Sequence, residues 1–282
     1  GLVGSEMCIR DSVFAVMVIG ACSGVGVIRG IIASAPTIDD IVATPTGFLS
    51  TVLDANGNQT ATLVASGSNR RAVTIDEIPK NLQHAFVAIE DERFYEHNGI
   101  DVTGIIRAGV KGVASGFHFS EGASTITQQL LKNTVFTSWT SESSMADKFE
   151  RKFQEQYLAL QLEKVVDKDW ILENYLNAIN LGQNTLGVGV ASERYFGKDV
   201  SDLTLSECAV LAAITQNPSK YNPITNPQEN SKRRMKVLNN MKDQGYISQE
   251  EYDEAVADNV YDRIQLVNIC LLYTSDAADD MQ

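Results

Sequence analysis

Cysteine and histidine are scarce in this sequence, and neither residue is spaced as a metal site requires. The cysteines are Cys8, Cys22, Cys208 and Cys270, and the histidines are His84, His97 and His118. The cysteines show neither paired spacing nor a metal pattern. Cys22 and Cys208 lie in apolar runs, where cysteine acts as a small hydrophobic residue. The sequence therefore offers no dedicated metal site.

Positive charge is also in short supply. The chain has 23 Lys and Arg against 36 Asp and Glu, a formal net charge of -13. A nucleic-acid-binding protein needs a basic face, so we expect no nucleic-acid partner. Broad attraction to anionic lipid is disfavoured for the same reason, and any polyanionic ligand must be held by a local basic cluster. The 282 residues have a globular composition without internal repeats, enough for one large domain or two small ones.

One long apolar run lies near the N-terminus. Residues 13–28 carry no charge, Arg29 interrupts the run, and apolar residues continue to Ala35. A membrane-spanning helix needs about 20 apolar residues, and an arginine near its end can extend to the interface. We interpret 13–35 as a single transmembrane anchor, with a signal-peptide core or a buried helix as alternatives. Residues 1–12 and 263–282 read as foreign or unstructured sequence.

Between the anchor and the main domain, residues 36–74 are rich in small polar side chains and read as a linker. Thr51–Leu53 and Thr60–Val64 flank an Asn56-Gly57 pair, a pattern that predicts a small hairpin. From 75 to 262 the patterns are almost all helical. A mainly α domain is therefore expected.

Three consecutive acids, Glu90 to Glu92, end an apolar helical stripe. The stripe consists of Leu82, Phe86, Ile89 and Phe94. Pro79 suits the first helical turn, and Asp76 is a candidate cap. Glu90 should lie at the edge of the apolar face, where partial desolvation suits a general base. The alternative is an ordinary solvated helix face.

Further motifs follow along the chain. Thr125-x-x-Gln128 fits a capping box, so a helix should begin there and offer its N-terminal dipole to an anionic group. Arg151-Lys152-x-x-Glu155 places Arg151 and Glu155 as i,i+4 neighbours on a helix. A helix over 170–177 has Asp169 as its expected cap. Taken singly, these are commonplace features of helix ends and solvated helices.

Taken in order, the motifs resemble the signatures of the peptidoglycan glycosyltransferases, glycosyltransferase family 51, found in class A penicillin-binding proteins and monofunctional transglycosylases. The first signature is Glu90-Asp91-x-x-Phe94-x-x-His97-x-Gly99. The resemblance covers about Ile75 to Ala257, while Leu186 and Gly189 depart from the family's usual aromatic residue and alanine. It implies a mainly α fold, with a lysozyme-like helical catalytic lobe and a smaller membrane-proximal jaw lobe, preceded by one transmembrane helix.

The resemblance also assigns regions near the membrane. It implies that 134–150 form a mobile apolar jaw that dips into the bilayer; an ordinary core-covering segment is the alternative. The loop-like stretch 112–122, with Phe117 and Phe119, is expected to be a surface loop or a flap beside a cleft.

By resemblance, the domain 75–262 polymerises lipid II into the β-1,4-linked glycan strands of peptidoglycan. The donor inverts at its anomeric carbon and releases polyprenyl pyrophosphate. Glu90 matches the catalytic base, Glu155 is the second carboxylate, and Asp91 is expected to tune Glu90. His97 is expected to be structural. The matching substrate-binding residues, cations first, are Lys132, Arg151, Lys152, Ser124, Thr125, Gln128, Gln129, Phe94 and Asn177.

The resemblance requires no cofactor, although a divalent cation, Mg²⁺ or Mn²⁺, can assist at the pyrophosphate. The implied partners are lipid II, the growing glycan strand, the bilayer and other cell-wall synthesis proteins. The implied location is the cell membrane, with a single span and the catalytic domain on the extracytoplasmic face.

Other interpretations stay open. In a lysozyme-like hydrolase Glu90 would be a general acid, but a neutral glycan does not need the cations. An inactive, membrane-tethered wall-binding module should have lost Glu90 or the cations. The transpeptidase motifs Ser-x-x-Lys and Lys-Thr-Gly are not found, so we expect either a monofunctional enzyme or a chain cut before that domain. The foreign-looking tail favours the second.

Overall fold

The computed structural model describes residues 2–37, 43–64, 68–115, 124–137, 139, 142–266 and 272–273. Within these ranges the chain is mainly helical, as predicted. The helices are α1 (Leu2–Ala33), α2 (Lys80–Glu90), α3 (Val102–Ala114), α4 (Ile126–Thr134), α5 (Met145–Leu162), α6 (Lys168–Ala178), α7 (Val188–Phe196), α8 (Leu205–Ile214), α9 (Pro227–Asp243) and α10 (Gln249–Ala257). The expected loop with Phe117 and Phe119 lies outside the described residues.

The N-terminal helix α1 is long and apolar enough to cross a membrane. Its apolar part, Val16–Ala33, has a mean hydropathy of 2.0, and none of its described side chains is buried. A signal sequence would meet the same criterion, so that alternative stays open. The helix begins at Leu2, so residues 2–12 are helical rather than unstructured. Their foreign origin stays a prediction.

The predicted hairpin is present. β1 (Ser50–Leu53) and β2 (Gln59–Val64) pair antiparallel across a turn in which Gly57 has a φ of 84°. Asp54 fixes this turn, because its Oδ1 accepts hydrogen bonds at 2.8 Å from the backbone N–H groups of Asn56 and Asn58.

The packed part of the chain continues past residue 262, which corrects the predicted boundary. Arg263 donates to Glu207 at 2.9 Å and to Asp258, and Ile264 is buried. A short strand β3 (Leu272–Tyr273) also pairs parallel with β2. Residues 263 and 264 therefore belong to the packed domain, because the Arg263 and Ile264 side chains find partners there.

The core is organised around α8, whose residues from Ser206 to Ile214 are buried. This helix packs against α2 and α9, and α4 packs against α5 and α6. Because α2 lies against the buried helix, the end of α2 is held rigidly.

Helix caps follow the sequence in part. Ser248 caps α10 in a complete capping box, as its sequence indicates. Asp76 does not cap α2, which begins after Pro79 without a side-chain cap. The cap of α6 is Asp167, which accepts from the Trp170 N–H at 2.8 Å, so Asp169 lies inside the first turn.

Candidate active site

A cleft of about 460 Å³ opens beside the C-terminal end of α2. Its walls come from α2, α3, the start of α4, and α9. Polar and charged side chains that line it include Glu90, Arg107, Ser124, Gln129, Arg233 and Lys236. The cleft therefore brings the predicted base together with residues from distant parts of the sequence.

Glu90 is the last residue of α2, and its side chain is 14% exposed. Gln129 donates from Nε2 to Glu90 Oε2 at 3.0 Å. On the other oxygen, Oε1, Thr215 donates from its hydroxyl, and Arg233 Nη2 lies 3.6 Å away. Each of these three contacts stabilises negative charge on the carboxylate. Glu90 is thus fixed at the cleft wall.

The backbone that carries Glu90 is held from α9. The carbonyl of Ala88 accepts from Asn240 Nδ2 at 2.9 Å and from Gln244 Nε2 at 3.1 Å. This carbonyl belongs to the last turn of α2, where the carbonyl groups have no N–H partner within the helix. Two side-chain amides therefore fix the position of the base.

Asp91 has a different role from the predicted one. Its carboxylate, only 2% exposed, accepts from the Ile126 N–H at 2.9 Å and bonds His97 Nε2 at 2.9 Å. His97 Nδ1 accepts from the Gly99 N–H at 3.1 Å, so the ring proton lies on Nε2 and points to Asp91. Asp91 therefore joins the end of α2 to the start of α4, and His97 holds the loop, as expected.

Two consecutive glutamines near the N-terminus of α4 bind different partners. Thr125 caps the helix by accepting from the Gln128 N–H at 3.2 Å, as predicted. The Gln128 side chain does not complete the box; its Nε2 donates to the Gly99 carbonyl at 3.2 Å. Gln129, one residue later, reaches Glu90. The same helix end thus supports two separate polar clusters.

The second cluster surrounds Glu155, whose side chain is 1% exposed. Arg151 and Lys152 both pair with it, Lys152 Nζ at 3.1 Å. Lys152 Nζ also donates to Ser124 Oγ at 2.8 Å and to Gln128 Oε1 at 3.0 Å. The predicted cations are therefore assembled around the predicted second carboxylate.

Glu142 is a further member of this cluster that the sequence analysis missed. Arg151 Nε donates to its two carboxylate oxygens at 2.8 and 3.0 Å. Glu142 lies before the Arg151-Lys152 motif, and no pattern in the sequence marks it. The cluster thus holds two acids and two bases, which keeps its net charge near neutral.

Lys132 lies between the two clusters. Burial lowers the pKa of its ammonium group from the ordinary value, an effect that Glu155 opposes and Lys152 reinforces. Glu90 opposes the shift as well. Lys132 Nζ lies 4.5 Å from the centroid of the Trp139 ring, a cation–π contact. This cation is consequently placed where it interacts with both carboxylates.

Two residues predicted to bind substrate have structural roles instead. Phe94 is fully buried in the core. Asn177 is 6% exposed, and its amide donates to the Val73 carbonyl at 2.8 Å and accepts from the Val73 N–H at 3.0 Å. Neither side chain has a free face toward the cleft, because one fills the core and the other pairs with backbone.

Thr215 and Arg233 touch Glu90 but were not predicted as site residues. The helix that begins at Pro227 is visibly basic in sequence, yet nothing there indicates which of its cations faces α2. In the described part of the chain, no three His, Cys, Asp or Glu side chains are grouped so as to hold a metal ion.

Comparison with known proteins places the chain in a family. The family model described as Transglycosylase matches residues 56–242. Penicillin-binding protein 1A of Clostridium perfringens (strain 13 / Type A) is 44% identical over 247 residues, covering 84% of this chain and 35% of that protein. Penicillin-binding protein 1F of Bacillus subtilis (strain 168) is 47% identical over 203 residues, covering 72% of this chain and 27% of that protein.

The chain thus spans about a third or less of the length of these relatives. A solved structure of penicillin-binding protein 1A from Haemophilus influenzae is 24% identical, with a TM-score of 0.45, covering 79% of this chain and 22% of that one. That likeness is too low to inform the site.

Proposed function

The chain belongs to the transglycosylase family, as the transglycosylase domain of a class A penicillin-binding protein, and on that premise we propose that it polymerises lipid II. Peptidoglycan glycosyl transfer is the activity of the family. The finer proposal is that the product is a β-1,4-linked glycan strand and that polyprenyl pyrophosphate leaves. The observation that carries it is Glu90, fixed at the wall of a polar cleft beside a cluster of cations.

In the proposed reaction Glu90 is the general base. The acceptor 4-hydroxyl approaches the carboxylate from the cleft, gives up its proton to it, and attacks the donor anomeric carbon as the bond to pyrophosphate breaks. Attack from the face opposite the leaving group inverts an α-linked donor to a β bond. Gln129 and Thr215 hold the carboxylate in place, so little rearrangement is needed at the moment of proton transfer.

The leaving pyrophosphate needs fixed positive charge. We assign this role to Lys132, Arg151 and Lys152, with Glu155 orienting the two cations of α5. Lys152 also contacts the neutral donors and acceptors of Ser124 and Gln128, which a phosphate oxygen can displace at modest cost.

We keep a divalent cation, Mg²⁺ or Mn²⁺, as an optional partner of the pyrophosphate rather than a resident of the protein. The two carboxylates nearest the proposed reaction, Glu90 and Glu155, are already engaged by protein donors. Their oxygens are therefore poorly suited as ligands for such an ion.

A lipid-linked substrate fits the N-terminal helix. α1 provides a candidate single membrane span, and its C-terminal end contacts α5, where Gln154 Nε2 donates to Ser34 Oγ at 3.1 Å. This contact supports the proposal, because it joins the cation-bearing helix to the end of the candidate span, the level at which the pyrophosphate of a membrane lipid would lie. We propose that the domain acts on the extracytoplasmic face, with the bilayer and other cell-wall synthesis proteins as partners.

Turnover of labelled lipid II by the detergent-solubilised protein tests the proposal. We expect glycan polymer from the parent chain and none from Glu90→Gln. Glu96→Gln is the matched control, since Glu96 is an exposed acid six residues away, and it should retain activity. Cleavage of preformed glycan by the parent would favour a hydrolase, and polymer from Glu90→Gln would remove Glu90 as the base.

A further inference from the structure

Arg233 has no part in the proposed reaction, although it faces its base. Its Nη2 lies 3.6 Å from Glu90 Oε1, and its side chain is only 11% exposed. The guanidinium lies 5.1 Å from the centroid of the Tyr221 ring. Its buried Nε has no hydrogen-bond partner among the described residues. The Arg233 guanidinium is therefore buried beside the general base. Among the described residues, no shorter ion pair of Arg233 competes with this contact.

We infer that Arg233 is a positioning residue that holds the Glu90 carboxylate with its Oε1 oriented toward Thr215, so that the base is in place before the acceptor arrives. The inference rests on the proposed function, since it concerns the same carboxylate. It adds a residue of α9 to the reaction and assigns it a task distinct from binding pyrophosphate.

The physical argument starts from the burial of Glu90. The Glu90 carboxylate is 14% exposed, so protein groups rather than water surround most of it. A general base must lie in a defined position before it accepts a proton. An arginine beside the carboxylate attracts it at every pH of interest, because the guanidinium keeps its charge.

Several other charged or titratable groups surround Glu90. They are Asp91 and Glu92 just after α2, Arg107 and Lys111 of α3, Lys132 of α4, Tyr175 of α6, and Lys236 and Asp243 of α9. Among the described residues, Arg233 is the cation that forms an ion pair with Glu90 at less than 4.0 Å.

The position of Arg233 is fixed by its helix. Neighbouring residues of α9, Val237 and Met241, are buried in the core, and Asn240 binds the Ala88 carbonyl of α2. The Tyr221 ring also contacts the guanidinium in a cation–π arrangement. The cation consequently cannot swing away from Glu90 without disturbing the contact between the two helices.

The test is lipid II turnover by the full chain in detergent at a fixed pH. We also measure kcat and KM separately, and in Arg233→Gln we expect kcat to fall by about tenfold, because the carboxylate loses the contact that orients it. KM should change little. Arg233→Lys keeps the charge and should keep most of the parent's kcat. Lys232→Gln removes a charge from the same helix at a side chain 74% exposed, and should leave kcat and KM unchanged.

The alternatives give different results. An unchanged kcat would show that Arg233 does not hold the base, and a large rise in KM would make it a substrate-binding residue; either result overturns the inference. Thermal unfolding of each variant checks folding. If Arg233→Gln does not fold, Arg233→Lys decides, because a tenfold fall in kcat in that charge-retaining variant overturns the inference. A parent that makes no polymer would instead contradict the proposed function itself.

Discussion

Gln129 donates to Glu90 at 3.0 Å, and this bond joins α4 to the last residue of α2. The other end of the same amide accepts from the Tyr175 hydroxyl at 3.3 Å. Complete burial, and after it the nearby Glu90 and Asp91, raise the pKa of Tyr175 well above its ordinary value. The phenol therefore stays a donor, which orients the amide and leaves only its N–H to face Glu90.

Replacing Gln129 by methionine should lower kcat for lipid II turnover by about tenfold, since a hydrogen bond to a charged group contributes about 1.5 kcal/mol. KM should change little, because the amide holds the base rather than the substrate. Tyr175→Phe is the matched control: it keeps the bond to Glu90 and should cost less. Full kcat in Gln129→Met would show that Thr215 and Arg233 are sufficient to hold Glu90.

Lys132 should set the alkaline limit of activity. Burial lowers its pKa below the ordinary value of 10.5. Since kcat/KM reports the free enzyme, the cation needed at the pyrophosphate is lost at a lower pH than for an exposed lysine. Lys132→Arg keeps its charge and should extend the alkaline limb of kcat/KM upward.

The exposed Lys164 provides the control, as Lys164→Arg should leave that limb where it is. If the alkaline limb of kcat/KM does not move in Lys132→Arg, another group limits activity at high pH. The linked effect on stability has a definite sign. The folded chain holds fewer protons than the unfolded chain between the lowered pKa and 10.5, so this lysine's contribution to stability rises with pH in that window.

Local signals in the sequence predicted local structure well. The Asn56-Gly57 turn and the Thr125 cap each depend on a few neighbouring residues, and both are present. The Asp76 and Asp169 caps were wrong by a few residues, because several polar side chains near a helix start compete for the same N–H groups.

The surroundings of Glu90 could not be predicted in the same way. Thr215 is 125 residues away in sequence, and only packing of α2 against α8 and α9 brings it and Arg233 to the carboxylate. A family motif contains residues that stabilise the fold as well as residues that take part in the reaction. Phe94 and Asn177 belong to the matched pattern, but burial shows that they support the fold.

Asp91→Ala should destabilise the chain by about 3 kcal/mol, because it leaves the buried Ile126 N–H and the His97 ring without their acceptor. The folded fraction should keep most of its kcat, since Asp91 holds helices rather than the base. Chemical denaturation and lipid II turnover measure the two effects. Glu92→Ala, at a side chain 44% exposed, should cost less than about 1 kcal/mol. A variant that is stable but inactive would restore Asp91 to the tuning role.

Gly99→Ala should be the most destabilising change in the first signature. Gly99 has a φ of 92°, and a Cβ there would lie 2.6 Å from the backbone of Ala159 in α5. The Gly99 carbonyl also accepts from Thr125 and Gln128, so a displaced loop would pull on the start of α4. Left-handed strain and overpacking against fixed backbone together predict a loss of about 3–4 kcal/mol.

Gly57→Ala separates these two causes. Gly57 has a similar φ of 84°, but a Cβ there would meet nothing within 4 Å. Only the backbone strain applies, so the loss should be about 1 kcal/mol. Denaturant midpoints of the two variants, compared at equal slopes, measure the difference. Equal losses would mean that α5 yields to the new methyl group. A larger loss at Gly99 would show that this glycine is needed because the loop and α5 lie too close together for any side chain. That close approach of the loop to α5 in turn fixes the distance between Glu90 and the cations of α5.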